Sequence, residues 1–219
     1  MTRLAIFDCD GTLVDSQHNI CAAMAECFVA AGLEAPLPEH TRQVVGLSLV
    51  EAMQVMLPAA EPDFHVAMAE DYKRTFQAMR ARGLEDEPLY EGIVELVDVL
   101  EADGWLLAVA TGKSDRGLKL CLDHHGLFDR FVSLQTADRH PSKPHPSMIE
   151  QAMADAGATP ERTIMIGDTS YDMAMARAAG VGAIGVAWGY HEPPLLREAG
   201  AHHIADHPHD IIELTKAWA

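Results

Sequence analysis

The chain lacks the features that mark several classes of protein. It contains no run of the about 18 apolar residues that a membrane-spanning helix requires. No charged segment with an apolar signal core precedes the first strand-like run, and we therefore expect a cytoplasmic protein. Four cysteines are too few, and too widely spaced, for a disulfide framework in a chain of 219 residues.

Basic residues are also scarce. The 16 lysines and arginines face 33 aspartates and glutamates, which gives a formal net charge of −17. An acidic surface repels nucleic-acid backbones and anionic membranes, and no basic stripe counteracts it. We expect neither partner. A hydrophobic fraction of 48% allows a sizeable core, in one large domain or in one domain with an insert.

Short apolar runs alternate with helical patterns over most of the chain. The runs are residues 4–7, 106–110, 131–134, 163–166 and 183–187. From the second run onward, amphipathic segments separate them, and several end at a glycine, as residues 147–156 do at Gly157 and residues 172–179 do at Gly180. Buried runs that alternate with helices predict an α/β fold, a Rossmann-like parallel sheet with helices on both faces. Ligands bind such sheets at the carboxyl ends of the strands.

The segment between the first two apolar runs is different, because it contains no strand-like run. We predict helices over residues 19–31, 39–56 (one helix or two) and 63–82. The predicted organisation is a catalytic core of residues 1–15 and 89–219, with a helical cap domain of residues 16–88 inserted after the first strand.

Two aspartates mark the end of the first run. Asp8 and Asp10 lie in the sequence DCDGT, residues 8–12, directly after residues 4–7. The i, i+2 spacing puts both side chains on one face of an extended segment. Such carboxylates repel each other unless a cation neutralises them or one holds a proton, and both conditions suit catalysis. A surface turn is the open alternative, since Asp and Gly are ordinary turn residues.

Two later segments offer groups that bind phosphate. Thr111 and Gly112 follow the second run and present a hydroxyl and a free amide. Lys143 lies beside prolines that restrict its backbone, and a lysine held in this way acts as a point charge on phosphate. An ordinary strand-to-helix connection and a solvated loop lysine are the alternatives.

A fourth segment adds two more carboxylates. Asp168 follows the run 163–166 after one glycine, and Asp172 comes four residues later. If a helix begins near Thr169, both side chains reach the same cation site. Simple capping of that helix by Asp168 is the alternative.

Together the four segments resemble the motifs of the haloacid dehalogenase-like (HAD) hydrolase superfamily. Asp8 and Asp10 match its first motif, Thr111 its second and Lys143 its third, while residues 167–172 match its fourth. The resemblance covers nearly the whole chain. The dehalogenase branch lacks the second aspartate of the first motif, so Asp10 favours phosphoryl transfer over carbon–halogen cleavage.

The resemblance implies a phosphomonoester hydrolase with an aspartyl-phosphate intermediate. Asp8 would attack phosphorus, and Asp10 would protonate the leaving alcohol and then deprotonate the hydrolytic water. Thr111, Gly112 and Lys143 would hold the phosphoryl oxygens.

The resemblance also implies a Mg²⁺ cofactor. Its ligands would be the Asp8 side chain, the carbonyl oxygen of Asp10 and Asp168. Asp172 would not contact the metal itself but would orient a bound water or Lys143.

The substrate is predicted only as a class. Residues 8–16 resemble the phosphoglycolate phosphatase branch, which favours 2-phosphoglycolate among small phosphorylated metabolites, ahead of pyrophosphate, sugar phosphates and nucleotides. Arg42, Lys73 and Arg74 are candidate partners for a substrate carboxylate, and a solvated helix face is their alternative. We expect a monomer or a homodimer.

Two other functions stay open at this point. One is β-phosphoglucomutase-like transfer, although Leu49 stands near the position where mutase relatives tend to carry an arginine. The other is a non-catalytic, phosphoaspartate-type receiver domain. His202, His203, His207 and His209 are surface residues beside an edge strand in our interpretation, with a transition-metal site as the alternative.

Overall fold

A computed structural model describes residues 2–83 and 87–218. Within these residues a parallel sheet of six strands has the order β3-β2-β1-β4-β5-β6. The strands are β1 (Arg3–Phe7), β2 (Trp105–Thr111), β3 (Ser133–Thr136), β4 (Thr163–Gly167), β5 (Gly182–Val186) and β6 (His203–Ala205). This order is that of a doubly wound Rossmann-type sheet, and it confirms the predicted fold class.

Ten α-helices accompany the sheet in the described part of the chain. They are α1 (Gln17–Ala30), α2 (Pro38–Arg42), α3 (Leu49–Met56), α4 (Pro62–Ala81), α5 (Ile93–Ala102), α6 (Asp115–His124), α7 (Ser147–Ala156), α8 (Ser170–Ala179), α9 (Pro193–Ala199) and α10 (Pro208–Leu214). None of these helices combines the length and the apolar composition needed to cross a bilayer.

The sheet is buried on both faces. Ala5 and Phe7 of β1 pack in one apolar cluster with α5, α6 and α10, whereas Leu4 and Ile6 pack in a second cluster with α7, α8 and α9. The alternation follows from the period of two along a strand. Full burial of a side chain such as Phe7 contributes about 2–3 kcal/mol, which explains why these strands read as continuous apolar runs.

The register of β1 places the candidate motifs side by side. Phe7 pairs with Val109 of β2 on one side and with Ile166 of β4 on the other. The chain leaves all three strands at the same edge of the sheet. Asp8, Thr111 and Asp168 therefore meet there, at the point where the strand order reverses direction.

Helices α1 to α4 cover this edge and have an apolar cluster of their own. Met24, Phe28, Met53, Met68 and Tyr72 belong to it. Two separate helices, α2 and α3, occupy the predicted segment 39–56. The chain between them passes through Gly46, whose φ is +96°, a left-handed conformation that favours glycine.

The division into a core of residues 1–15 and 89–219 and a cap of residues 16–88 stays a prediction. The helical insert itself is observed between Gln17 and Ala81. Residues 1, 84–86 and 219 of these predicted domains lie outside the described residues.

Candidate active site

Three of the predicted residues form one buried cluster at the carboxyl edge of the sheet. The Lys143 Nζ lies 3.0 Å from Asp8 Oδ1 and 2.7 Å from Asp172 Oδ1. The exposed fraction is 1% for Asp8 and for Lys143 and 0% for Asp172. A buried ammonium between two carboxylates is fully paired, and the attraction of both anions outweighs burial and raises the pKa of Lys143 above its ordinary value.

The turn after β1 depends on Gly11. Its φ is +77°, and a Cβ at this position would lie 2.2 Å from Asp168 Oδ2 and 2.4 Å from the ring of Tyr190. Any side chain would therefore displace Asp168. The glycine lets the loop from Asp8 to Thr12 lie directly against the end of β4.

Asp168 and Asp172 have different local roles. Asp168 accepts hydrogen bonds from the Thr12 hydroxyl (2.8 Å) and from the Tyr190 amide (2.9 Å). The N-cap of α8 is Thr169, which forms a capping box with Asp172. The alternative that Asp168 serves as the cap is therefore wrong, and its carboxylate instead faces Asp8.

One atom of the cluster is left unsatisfied. Asp8 Oδ1 accepts from the Cys9 amide and contacts Lys143, but the buried Asp8 Oδ2 has no hydrogen-bond partner among the described residues. Burial, together with the charges of Asp172 and Asp10, outweighs Lys143 and raises the pKa of Asp8 to about 7. Burial and the charges of Asp8 and Asp172 likewise raise the pKa of Asp168 well above its ordinary value.

This donor set fits a divalent cation. Carboxylate oxygens of Asp8, Asp168 and Asp172 all lie within 4.8 Å of one another. Oxygen ligands are those that Mg²⁺ prefers, and a cation would neutralise the repulsion that raises these pKa values. Both oxygens of Asp172 already accept hydrogen bonds, from Lys143 and from Thr169. The two oxygens of Asp168 likewise accept from Thr12 and Tyr190, so Asp8 Oδ2 is the one oxygen of the three carboxylates with no hydrogen-bond partner among the described residues.

A cavity of about 380 Å³ lies between the cluster and the helical insert. Its floor includes Asp8, Asp10 and Thr111. Thr111 Oγ1 accepts from the Lys113 amide at 3.2 Å, which leaves its hydroxyl hydrogen to donate into the cavity. A Cβ on Gly112 would lie 2.7 Å from the Leu47 carbonyl oxygen, so the insert contacts this glycine closely.

A family model described as haloacid dehalogenase-like hydrolase matches residues 5–186. The chain belongs to this family. As an HAD-like hydrolase, it has relatives that are similar over nearly its whole length.

A protein named probable phosphatase IndB, from Dickeya dadantii, is 36% identical over 222 residues, which cover 97% of this chain and 93% of that protein. A phosphoglycolate phosphatase of Agrobacterium fabrum is 31% identical over 198 residues, covering 90% of this chain and 85% of the relative. A crystal structure of a predicted phosphatase from Clostridium acetobutylicum matches with a TM-score of 0.87 at 26% identity, over 99% of each chain. These similarities confirm the predicted HAD-like phosphatase and its likeness to the phosphoglycolate phosphatase branch.

In this HAD-like hydrolase, Asp10 lies apart from the other carboxylates. Its Oδ1 is 2.8 Å from Lys113 Nζ and also accepts a hydrogen bond from the Ser16 hydroxyl. The Asp10 side chain is therefore directed toward the cavity wall. Asp10 lines the cavity, and its expected roles, as general acid and base and as a metal ligand through its carbonyl oxygen, stay predictions.

Lys113 and Glu87 are residues that the motif analysis missed. Lys113 Nζ donates to Glu87 Oε1 at 2.7 Å, and Arg80 donates to Glu87 Oε2 at 3.0 Å. Burial lowers the pKa of Lys113, but the charges of Asp10 and Glu87 outweigh it and hold that pKa well above its ordinary value. The sequence could have indicated Lys113 as a site residue, because it directly follows Thr111 and Gly112. No local sequence pattern indicates Glu87.

The structure separates the three candidate partners for a substrate carboxylate. Of these, Lys73 lines the cavity, where it is bonded to Glu70. Arg42 and Arg74 do not line it, and each pairs instead with an acidic residue three positions earlier on its own helix. The expectation is therefore wrong for these two arginines, and their alternative, a solvated helix face, agrees with the structure.

The histidines near residue 205 have structural contacts. His202 Nδ1 accepts from the Ala183 amide, and the rings of His202 and His203 pack against Trp218. His207 is the N-cap of α10. Among the described residues, the carboxylates of the active site form the one group with the spacing of metal ligands, so the alternative of a histidine metal site finds no support.

Proposed function

We propose that this phosphatase hydrolyses the monophosphate ester of a small metabolite through an aspartyl phosphate on Asp8, with Mg²⁺ as cofactor. The observation that carries the proposal is the unsatisfied Asp8 Oδ2, which lies at the floor of the cavity beside Lys143. A nucleophile needs a free lone pair, and an anionic nucleophile that attacks an anionic phosphate needs cations close by.

The first half of the reaction uses residues on both sides of the phosphate. Asp8 Oδ2 attacks phosphorus, and the bond from phosphorus to the ester oxygen breaks. Asp10 gives its proton to that departing oxygen, so a neutral alcohol leaves. The Thr111 hydroxyl, the Gly112 amide and the Lys143 ammonium hold the phosphoryl oxygens and stabilise their charge.

The second half reverses the role of Asp10. Its carboxylate takes a proton from a water molecule, whose oxygen attacks phosphorus and releases Asp8 and inorganic phosphate. Asp172 keeps Lys143 in position through its 2.7 Å hydrogen bond. Mg²⁺, held by the Asp8 side chain, the Asp10 carbonyl oxygen and Asp168, would neutralise the carboxylates and the phosphate and so let the two anions approach.

The decisive variant is Asp8→Asn, because an amide cannot form the phosphoenzyme. We expect a loss of at least about 10³-fold in kcat, the scale typical of removing a nucleophile. Asp129→Asn, a change of an exposed aspartate, is the matched control and should keep wild-type rates. More than about 1% residual activity in Asp8→Asn, with correct folding, would contradict the assignment.

The cofactor is tested by chelation. Activity should vanish with EDTA and return with Mg²⁺, whereas Ca²⁺ should inhibit, because its larger and looser oxygen shell misplaces the nucleophile. Full activity after exhaustive chelation would rule out the metal.

Product analysis separates the other two functions. A mutase would isomerise a sugar phosphate and release phosphate slowly, and a receiver domain would not turn over at all. A panel of phosphometabolites that includes 2-phosphoglycolate, with inorganic phosphate as the readout, distinguishes the three. The likeness to the Agrobacterium phosphoglycolate phosphatase places 2-phosphoglycolate among the candidate substrates of the panel. The cytoplasmic location and the monomeric or dimeric state stay predictions.

A further inference from the structure

The part of the cavity remote from the phosphate site is apolar. Above Asp8 and Thr111, the walls come from α1, from the segment after α2, from α4 and from the solvent side of α6. Apolar side chains that line these walls include those of Met24, Val45, Leu49, Tyr72, Phe76 and Leu120, and the polar side chain of Gln77 lies among them.

Two aromatic rings of α4 form one side of this apolar region. Tyr72 and Phe76 are four residues apart, so they lie on the same helix face, and their ring centroids are 6.0 Å apart. Tyr72 is buried and Phe76 is half-buried at the cavity. The ring planes are inclined by 35°, and the Phe76 ring also has Arg80 and Lys113 each 5.9 Å from its centroid. The apolar surface of the two rings can pack against a ring or an alkyl chain.

Three of the cations around the same cavity already have carboxylate partners. Lys73 is 2.8 Å from Glu70, Arg80 is 3.0 Å from Glu87, and Lys113 contacts both Glu87 and Asp10. A second anionic group on the substrate would have to compete with these carboxylates.

Arg116 lines the cavity as well, but its side chain is exposed. Attraction between an exposed guanidinium and an anion is weakened by water and salt. The wall that faces the substrate therefore offers more to an apolar body than to a carboxylate.

We propose that the alcohol part of the substrate is an apolar body of ring size that packs against Tyr72 and Phe76, and not a short acid such as that of 2-phosphoglycolate. The inference rests on the proposed phosphatase function and adds the substrate class. The cavity volume of about 380 Å³ lies in the range of sites that hold ring-containing ligands.

A series of primary-alcohol phosphates tests the proposal. Ethyl, butyl, hexyl and 2-phenylethyl phosphate all release a primary alcohol of similar acidity and differ in the size of the apolar body. We expect kcat/KM to rise about fourfold for each methylene that the cavity buries. Butyl phosphate, with two more methylenes, should then exceed ethyl phosphate by about 16-fold, and 2-phenylethyl phosphate should exceed 2-phosphoglycolate by a larger factor.

Phe76→Ala tests whether the aromatic wall is responsible. The ratio of kcat/KM for 2-phenylethyl phosphate to that for ethyl phosphate should fall by up to about tenfold, the scale of one aromatic contact. This ratio cancels any loss of folded enzyme. Phe64→Ala is the matched control, because Phe64 lies on the same helix with 38% of its surface exposed and outside the cavity; it should leave the ratio unchanged.

The possible results distinguish an error in the substrate class from an error in the phosphatase function. A flat or falling series, or 2-phosphoglycolate as the best substrate with a KM that rises in Lys73→Met, would overturn the apolar substrate class and leave the phosphatase standing. An unchanged ratio in Phe76→Ala would remove the aromatic wall from substrate binding. If no ester is hydrolysed in the presence of Mg²⁺, the phosphatase function itself is wrong, and this inference is wrong with it.

Discussion

Asp8→Asn should change how the stability of the metal-free protein depends on pH. The pKa of Asp8 is raised from 3.8 to about 7, because burial and the neighbouring carboxylates Asp172 and Asp10 outweigh Lys143. The folded state thus binds the Asp8 proton more tightly than the unfolded chain does. Ionisation of Asp8 therefore lowers the free energy of unfolding as the pH rises from about 4 to about 7.

The size of this change in the free energy of unfolding follows from the shift in the pKa of Asp8. Each pKa unit corresponds to 1.36 kcal/mol, so a rise from 3.8 to about 7 amounts to about 4 kcal/mol of stability lost across this interval. The variant has no carboxylate at position 8 and escapes this loss. Without the charge at position 8, the pKa of Asp168 should also fall toward its ordinary value, which acts in the same direction.

Urea unfolding in EDTA between pH 4 and pH 8 provides the measurement. The stability of Asp8→Asn relative to wild type should increase from pH 4 to pH 7 and then level off. Asp129→Asn should follow the wild-type curve at every pH. At pH 8, added Mg²⁺ should stabilise the wild type more than Asp8→Asn, because the variant lacks one ligand. Parallel curves for wild type and Asp8→Asn across the whole interval would refute the reasoning.

Three further predictions concern the neighbourhood of Asp8. Asp10→Asn should reduce hydrolysis of alkyl phosphates about 10²–10⁴-fold more than that of aryl phosphates, whose leaving groups need little protonation; equal losses, in steady-state assays on both, would place the proton transfer elsewhere. Glu87→Gln should lower the free energy of unfolding by about 2 kcal/mol, the scale of a buried hydrogen bond to a charged group, and urea unfolding that shows less than about 0.5 kcal/mol would contradict the role of its pairing with Lys113. Gly112→Ala should lower kcat/KM and speed amide hydrogen exchange in residues 44–50, because the added Cβ would lie 2.7 Å from the Leu47 carbonyl oxygen. Unchanged hydrogen exchange would show that the added methyl group is accommodated without displacement of the helical insert.

The fold was predictable because local signals and the sheet topology agree. Helices α7 and α8 end where the sequence predicts, since Gly157 and Gly180 take left-handed conformations as their C-caps. The sequence pattern placed the third strand two residues too early, at residues 131–134, whereas β3 is Ser133–Thr136. Phe131 belongs to the buried connection before β3 and packs against Phe7 with the ring centroids 6.4 Å apart. Hydrophobic periodicity cannot distinguish such a buried connection from a strand.

The candidate site was predictable where chemistry lies at strand ends and not where it depends on distant pairing. Asp8 and Asp168 meet because parallel strands end at one edge of the sheet. The pairing of Glu87 with Lys113 arises only when the chain returns from the helical insert, so no local pattern reveals it. The wrong expectation for Arg42 and Arg74 could have been avoided from the sequence. Each has an acidic residue three positions earlier on its own helix, a spacing that predicts an ion pair on the helix surface.

The central place of β1 in the sheet determines when an active enzyme first exists during protein synthesis. Phe7 pairs with Val109 and Ile166, which a ribosome adds long afterwards. At about 5–20 residues per second, the interval between β1 and β4 is roughly 10–30 seconds. Helices α1 to α4 contact one another within residues 17–81 and are free to assemble during this interval. The helical insert of a nascent chain can thus form before the sheet edge that holds Asp8 and Asp168, and a product interrupted before Asp168 lacks one of the two carboxylates that meet there.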